Sequence, residues 1–394
     1  MSRITVIQPG ARLHYAVPEI LARAGLLKRL YTDLHADHPV LRAVGRAPLG
    51  WQPKPLRRLL GRRLPPSLSP ALVEDLPLRT LVEHARGEPG DGIRRLLARL
   101  EAAPLGGGDV IYTVVVNEDL ETMRRLKARG ARIVHECMIG PDVGLWLQDE
   151  RRRHPGIEPD EDPATVASGR ARDREKYGLA DLVLVPSDFA RRAVLALDCP
   201  PEKVHVVPYG LEPVLRAAAA PRARQALFVG SVGLRKGSHH LAAAARKLAR
   251  PRPDISFRVV GPISARLRQH PELRGPTYVG QVPRAAIGAE YAAADVFVLP
   301  TLCDSFALVH LEAMAAGVPV ITTPNCGSVV RDGVDGFIVP VRDPDAIAAR
   351  VEQVVSDRAL RAEMSASAQA RAAEFSLEHY GPRLLAALAP VLAP

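Results

Sequence analysis

One stretch constrains this chain more than any other. Residues 295–328 run from Asp295 through an apolar segment, Val296–Leu299, closed by Pro300, and reach a second apolar segment, Val318–Ile321, that follows Gly317. Short apolar runs bounded by Gly and Pro read as buried strands, and the residues between them are enough for a polar turn and one helix. The stretch is a βαβ unit, so the fold class is α/β.

The turn inside this unit carries the chemistry. Asp304 and Ser305 are helix-capping residue types. A helix opened there aims backbone N–H groups and a partial positive charge at the space beyond the strand ends, a place that suits a phosphate. Glu312 follows seven positions after Ser305, on about the same face and among Leu308, Val309, Leu311 and Met314, where an ordinary buried helix carries leucine. Taken alone, the helix admits two readings: a phosphate-facing site, or a capped helix whose glutamate is satisfied by neighbouring backbone.

The segment Asp304-Ser-Phe-Ala-Leu-Val-His-Leu-Glu312-Ala-Met-Ala-Ala-Gly317 resembles the signature of glycosyltransferase family 4, two acidic residues separated by seven others, with Asp304 where the family usually has Glu. The resemblance implies the GT-B fold: two Rossmann-like, doubly wound domains facing each other across a cleft, with a C-terminal helix crossing back to the first. It also implies a retaining, metal-independent enzyme that takes a nucleotide sugar. In that assignment Glu312 holds the ribose hydroxyls and Asp304 orients the sugar.

The totals agree with two domains, since 394 residues at 47% hydrophobic composition can bury two ordinary cores. No run approaches the roughly 18 apolar residues of a membrane span. Arg3–Ile7 reads as a strand rather than a secretory leader, and a cytoplasmic protein is expected. Cys137, Cys199, Cys303 and Cys326 are scattered without metal-site spacing. The net charge of +10 is compatible with nucleic acid, a membrane surface or a phosphorylated substrate, but 4% aromatics argue against a stacking platform for single strands. No nucleic-acid partner is expected.

Along the chain, a first strand ends at Gln8-Pro-Gly10, and a helix is expected over about 17–24. Gly10 lacks the later glycines of a dinucleotide fingerprint, and the resemblance places it at the cleft floor. From Arg42 to Arg63 seven cations alternate with Trp51 and leucines, with no acidic residue between Asp37 and Glu74. This insertion, about 40–105, reads either as a helical segment packing its leucines on the first sheet or as a patch for anionic lipid, which would make the protein peripheral at the inner face of a membrane. A strand at 131–134 ends in His135-Glu136, at an edge where open α/β sheets place ligand contacts; the resemblance brings His135 to the donor sugar. Residues 151–163 read as a loop, and Asp160-Glu-Asp162 within it as a solvated charge run rather than a metal site. Ser187 is positioned to cap a helix after the next strand.

The second domain opens with a strand ending at Gly230, followed by Ser231-Val-Gly-Leu-Arg235-Lys236-Gly237 and a helix from about Ser238. Cations at a helix start oppose its dipole unless an anion lies between them, so Arg235 and Lys236 read as diphosphate ligands, joined by Ser305, Phe306 and Ala307. The family commonly has Arg at the position of Ser231, and Arg235 compensates for it. By the same resemblance, Gly230, Gly261, Gly280, Gln281, Val282 and Leu308 line the nucleotide and cleft side. The expected domains are 1–210 for the acceptor, 211–224 as linker, 225–375 for the donor, and 376–394 as the returning helix.

The expected function is transfer from a UDP- or GDP-sugar, with no cofactor and no metal, to a glycan, lipid-linked or small-molecule acceptor in cell-envelope polysaccharide, glycolipid or secondary-metabolite glycosylation. The alternatives are a nucleotide-sugar epimerase or hydrolase of the same fold and a non-catalytic membrane-associated protein.

Overall fold

The computed structural model describes residues 3–38, 41–42, 60–76, 91–105, 108–212 and 224–393. Two parallel sheets organise them. The first contains β1 (Ile4–Ile7), β2 (Leu27–Tyr31), β3 (Val73–Glu74), β4 (Val110–Thr113), β5 (Arg132–Glu136), β6 (Leu182–Val185) and β7 (Val204–Val206), in the order β3-β2-β1-β4-β5-β6-β7. The second contains β8 (Gln225–Val229), β9 (Ser256–Val260), β10 (Thr277–Gly280), β11 (Val296–Leu299), β12 (Val320–Thr322) and β13 (Gly336–Ile338), in the order β10-β9-β8-β11-β12-β13. Every neighbouring pair is parallel. The central strands β1, β4, β6 and β11 are buried along their whole length, which is why they read as continuous apolar runs.

In each sheet the strand order reverses once, between β1 and β4 and between β8 and β11. Ligands of doubly wound sheets bind beyond the carboxyl ends of the strands at such switch points. The helices that position the candidate site are α1 (Ala16–Arg23), α2 (Val143–Arg153), α3 (Pro163–Leu179), α4 (Asp188–Leu195), α5 (Ser238–Leu248), α6 (Leu308–Ala315) and α7 (Leu377–Leu392). Ser187 Oγ accepts from Ala190 N at 3.1 Å and caps α4, as its residue type predicts. Arg151–Arg153 form the last turn of α2 instead of opening a loop. Asp162 caps α3 and Glu161 pairs with Arg151.

The returning helix does cross back. Tyr380, Leu384, Leu388 and Val391 of α7 are buried in one core with Ile4, Val6, Val17 and Leu21. The two crossings between the sheets run side by side at Leu211 and Ser376: Leu211 N donates to Phe375 O at 2.9 Å, and Leu377 N to Leu211 O at 3.2 Å. Most of the linker and most of the basic stretch from Arg42 to Arg63 lie outside the described residues. Of that stretch, Arg62 pairs with Asp33 at 2.5 Å. Among the described residues, no helix is long and apolar enough to cross a membrane.

Candidate functional site

The switch point of the second sheet gathers the charged residues that the sequence singles out. The loop after β8 carries Arg235 and Lys236, and the turn after β11 carries Asp304. Lys236 Nζ is hydrogen-bonded to Asp304 Oδ2, and Arg235 Nη1 lies 3.8 Å from Asp304 Oδ1. Burial disfavours the Asp304 carboxylate, but the charges of Lys236 and Arg235 outweigh it and hold its carboxyl below the usual value. Both segments are tied together: the Arg235 carbonyl accepts from Leu302 N at 2.9 Å and from Thr301 Oγ1 at 2.8 Å. Gly237 makes this approach possible. It has φ +66°, and a Cβ there would lie 1.8 Å from the Pro300 carbonyl oxygen.

The helix of the βαβ unit starts later than the capping residues suggest. α6 begins at Leu308, and its N-cap is Ala307, which makes no side-chain cap bond. Asp304 and Ser305 spend their groups on distant partners. Asp304 N donates to Asn325 O at 2.9 Å, Ser305 Oγ accepts from Gly140 N at 2.8 Å, and Ser305 O accepts from Ser187 Oγ at 2.7 Å. The Ala307 amide is used as well, donating to Gly327 O at 3.2 Å. Ser305 is thus a contact between the two halves of the chain, and Phe306 beside it sets its ring edge-on to Tyr209 at 5.2 Å.

Glu312 stands one turn along α6 from Leu308, and both line a cavity of about 170 Å³ between the sheets. Its other walls include Ala11, Leu13 and His14 after β1, Gly210 to Glu212, and Arg284. Tyr291 OH donates to Glu312 Oε2 at 2.8 Å. Leu13, His14 and Tyr15 all have positive φ, 47°, 52° and 63°, an uncommon run of left-handed non-glycine residues. Gly10 lies just before it, donating its N–H to Asp33 Oδ1 at 3.0 Å.

Gly230 and Gly261 directly follow β8 and β9, and a Cβ at Gly261 would lie 1.9 Å from the Gly230 carbonyl oxygen. Gly280 closes β10 and its carbonyl accepts from Gly261 N at 2.9 Å, while Val282 packs on the second core. Gln281 lies between them at the same strand end. His135 is inside β5, buried against Tyr177 of α3, and lines neither that cavity nor a second one of about 290 Å³ around Ser187, Phe306 and Gly327. Burial and the Lys176 charge push its pKa well below 6.5.

Its neighbour Glu136 takes the opposite face and centres a buried network: it accepts from Arg12 Nη2 and Tyr209 OH, each at 2.7 Å, and from Tyr112 OH. Sequence reasoning passed over Glu136 and Arg284. Arg284 is the first residue of a helix, so the argument that singled out Arg235 and Lys236, a cation opposing a helix dipole, also applied to it.

Residues 216–371 match the family model for glycosyl transferases group 1. The matched segment, under half of the chain, is similar to a group 1 glycosyltransferase domain. The chain is 36% identical over 234 residues to a D-inositol 3-phosphate glycosyltransferase of Geodermatophilus obscurus, covering 52% of this chain and 51% of that protein. It is 33% identical over 186 residues to the Corynebacterium urealyticum protein of the same name, covering 43% and 44%. These matches span about half the length of the curated relatives. In structure, Anabaena HepE in complex with UDP and glucose superposes with a TM-score of 0.66 at 16% identity over 99% of this chain and all of that one. Sucrose-phosphate synthase of Thermosynechococcus elongatus does so at 0.65 and 20% identity, over 99% of each. The chain therefore has the GT-B fold, and the Arg235–Lys236–Asp304 cluster lies inside the segment that matches the group 1 model.

Proposed function

We propose that the protein is a retaining glycosyltransferase that moves a sugar from a nucleoside-diphosphate sugar, with uridine the favoured base, to an acceptor held by the N-terminal half. The observation that carries this reading is the meeting of Arg235, Lys236 and Asp304 at the switch point of the second sheet. Supporting it are the names of the relatives and the UDP found in the HepE complex. Departure of a nucleoside diphosphate builds negative charge on the leaving oxygen. Two cations and the nearby N-terminus of α6 stabilise that charge in a partly water-excluded site.

In this reading the diphosphate takes over Lys236 and Arg235, which hold Asp304 in the ligand-free chain, and Asp304 turns to the sugar hydroxyls. Glu312, steadied by Tyr291, faces the ribose, and Arg284 adds a cation at the same cavity. Gly230, Gly261 and Gly280 to Val282 form the nucleotide side, with Leu308 and Gly10 toward the cleft. His135 has a buried Nδ1 without a hydrogen-bond partner; it serves this reading only if closure around a donor exposes it. The acceptor is a glycan, a lipid-linked sugar or a small molecule.

The test is thermal stability with UDP, GDP, ADP and dTDP. UDP at roughly 100 times its dissociation constant adds about 2.7 kcal/mol, and Lys236→Ala abolishes the shift. Stabilisation equal in wild type and Lys236→Ala would sink the donor-site assignment. Free or epimerised sugar formed from donor alone, at the rate seen with acceptors present, would replace transfer by hydrolysis or epimerisation.

A further inference from the structure

Away from the switch point, α2 of the N-terminal half meets α5 of the C-terminal domain, and four metal-ligating side chains converge there. Glu150 lies in the last turns of α2, His154 immediately follows that helix, and His239 and His240 lie in the first turn of α5. One ligand atom from each lies within 4.8 Å of all the others. Glu150 Oε1 is 2.7 Å from His239 Nε2, 2.9 Å from His240 Nε2 and 3.7 Å from His154 Nε2. Glu150, His239 and His240 are buried, and His154 is partly open to solvent.

We propose that Glu150, His154, His239 and His240 form a binding site for a divalent transition metal of the zinc class, pinning α2 of the N-terminal half to the start of α5.

The chemistry of the donor set fits. Three imidazoles and a carboxylate are a four-coordinate zinc set. Bonds of about 2.0–2.1 Å at tetrahedral angles put ligand atoms about 3.4 Å apart. The three separations from Glu150 Oε1 straddle that value and lie within about 0.7 Å of it, so side-chain adjustments on that scale bring these atoms to metal-binding spacing.

Two of the atoms that face away from the centre already have the outer partners metal ligands need, while His239 Nδ1 is buried without one. Glu150 Oε2 accepts from Arg342 Nε at 2.5 Å, and His154 Nδ1 lies 2.6 Å from Glu272 Oε2. The second contact fixes the His154 tautomer. With its Nδ1 proton given to Glu272, a neutral His154 turns the Nε2 lone pair toward Glu150 Oε1, whose own lone pairs are already engaged by His239 and His240. Two acceptors then face each other at 3.7 Å, and a cation between them removes the conflict. A proton on His154 Nε2 or a bridging water would do so as well, and the experiment distinguishes both from a metal ion. Because α5 follows directly on Lys236 and Gly237, the ion would also steady the loop that carries the two cations of the switch point.

The experiment uses tag-free full-length protein, stripped with chelator and titrated with Co²⁺. Wild type is expected to develop the visible ligand-field bands of four-coordinate Co²⁺, to saturate at one equivalent, and to lose them when Zn²⁺ is added. His154→Gln removes a partly exposed ligand; it is expected to keep the metal-free melting temperature and to lose Co²⁺ affinity tenfold or more. Three results would overturn the proposal. One is a wild-type titration without those bands, which leaves a protonated or water-bridged hydrogen-bonded cluster. Another is equal affinity in wild type and His154→Gln. The last is a sulfur-to-metal charge-transfer band, which would place the ion on the cysteines.

Discussion

At the scale of single residues, Glu136 shows most directly how the cleft floor is held. Its carboxylate is fully buried, with Arg12, Tyr112 and Tyr209 all donating to it. Burial by itself would raise its pKa, but the Arg12 charge and the two hydroxyls overcome that and lower it below 4.5. A depressed carboxylate pKa contributes stability that is present above the unfolded value and is lost as pH falls through the folded one. Glu136→Gln leaves the partly buried Arg12 without its counter-charge; breaking a fully buried pair costs about 3–5 kcal/mol, the upper bound here. Urea denaturation at pH 7 should show a loss of up to that size, and the gap to wild type should narrow as the solution is acidified through the carboxylate range. A gap independent of pH would contradict the charge argument. The strand end itself was legible in the sequence. Which of His135 and Glu136 turns toward the domain interface was not, because side-chain alternation gives two faces without saying what covers each.

At the scale of elements, the strands were the easiest part to read. Runs such as Val296–Leu299 are buried on both faces, and that burial writes itself as uninterrupted apolar sequence. The start of α6 was harder. Asp304 and Ser305 have capping side chains, yet the partners of those side chains, Lys236 and Gly140, lie far away in sequence and near in space. Local preference yielded to tertiary contacts that no local window contains. The loop between β8 and α5 follows the same logic, since Gly237 is required by Pro300 sixty-odd residues later. Gly237→Ala must adopt a left-handed backbone at about 1–2 kcal/mol and must also push the Pro300 carbonyl away. The expected result is a stability loss above about 2 kcal/mol together with weaker UDP binding, read by denaturation and by titration calorimetry. Wild-type stability with wild-type affinity would show that the two loops do not need this close approach.

For the molecule as a whole, the sequence announced two Rossmann-like halves but not how they are fastened. Three attachments now stand out: Ser305 against Gly140 and Ser187, the paired crossings at Leu211 and Ser376, and α7. The cluster of Glu150, His154, His239 and His240 adds a fourth. Its halves are visible as a Glu and a His four apart and as a His pair, and only the fold brings them together. Of these, α7 makes the sharpest mechanical claim. Although it belongs to the C-terminal end of the chain, Leu384 is buried with Ile4, Val6 and Leu21, and the backbone at Gly381 approaches Ile20 of α1. Leu384→Ala should therefore cost about 2–5 kcal/mol by removing core contacts, and the loss should fall on the first sheet. Hydrogen exchange resolved by peptide should quicken in β1, α1 and β4 and stay at the wild-type rate in β8, β9 and β11. If protection were lost instead around β8 to β11, α7 would be a tail of the second domain, and the first sheet would owe its order to its own residues alone.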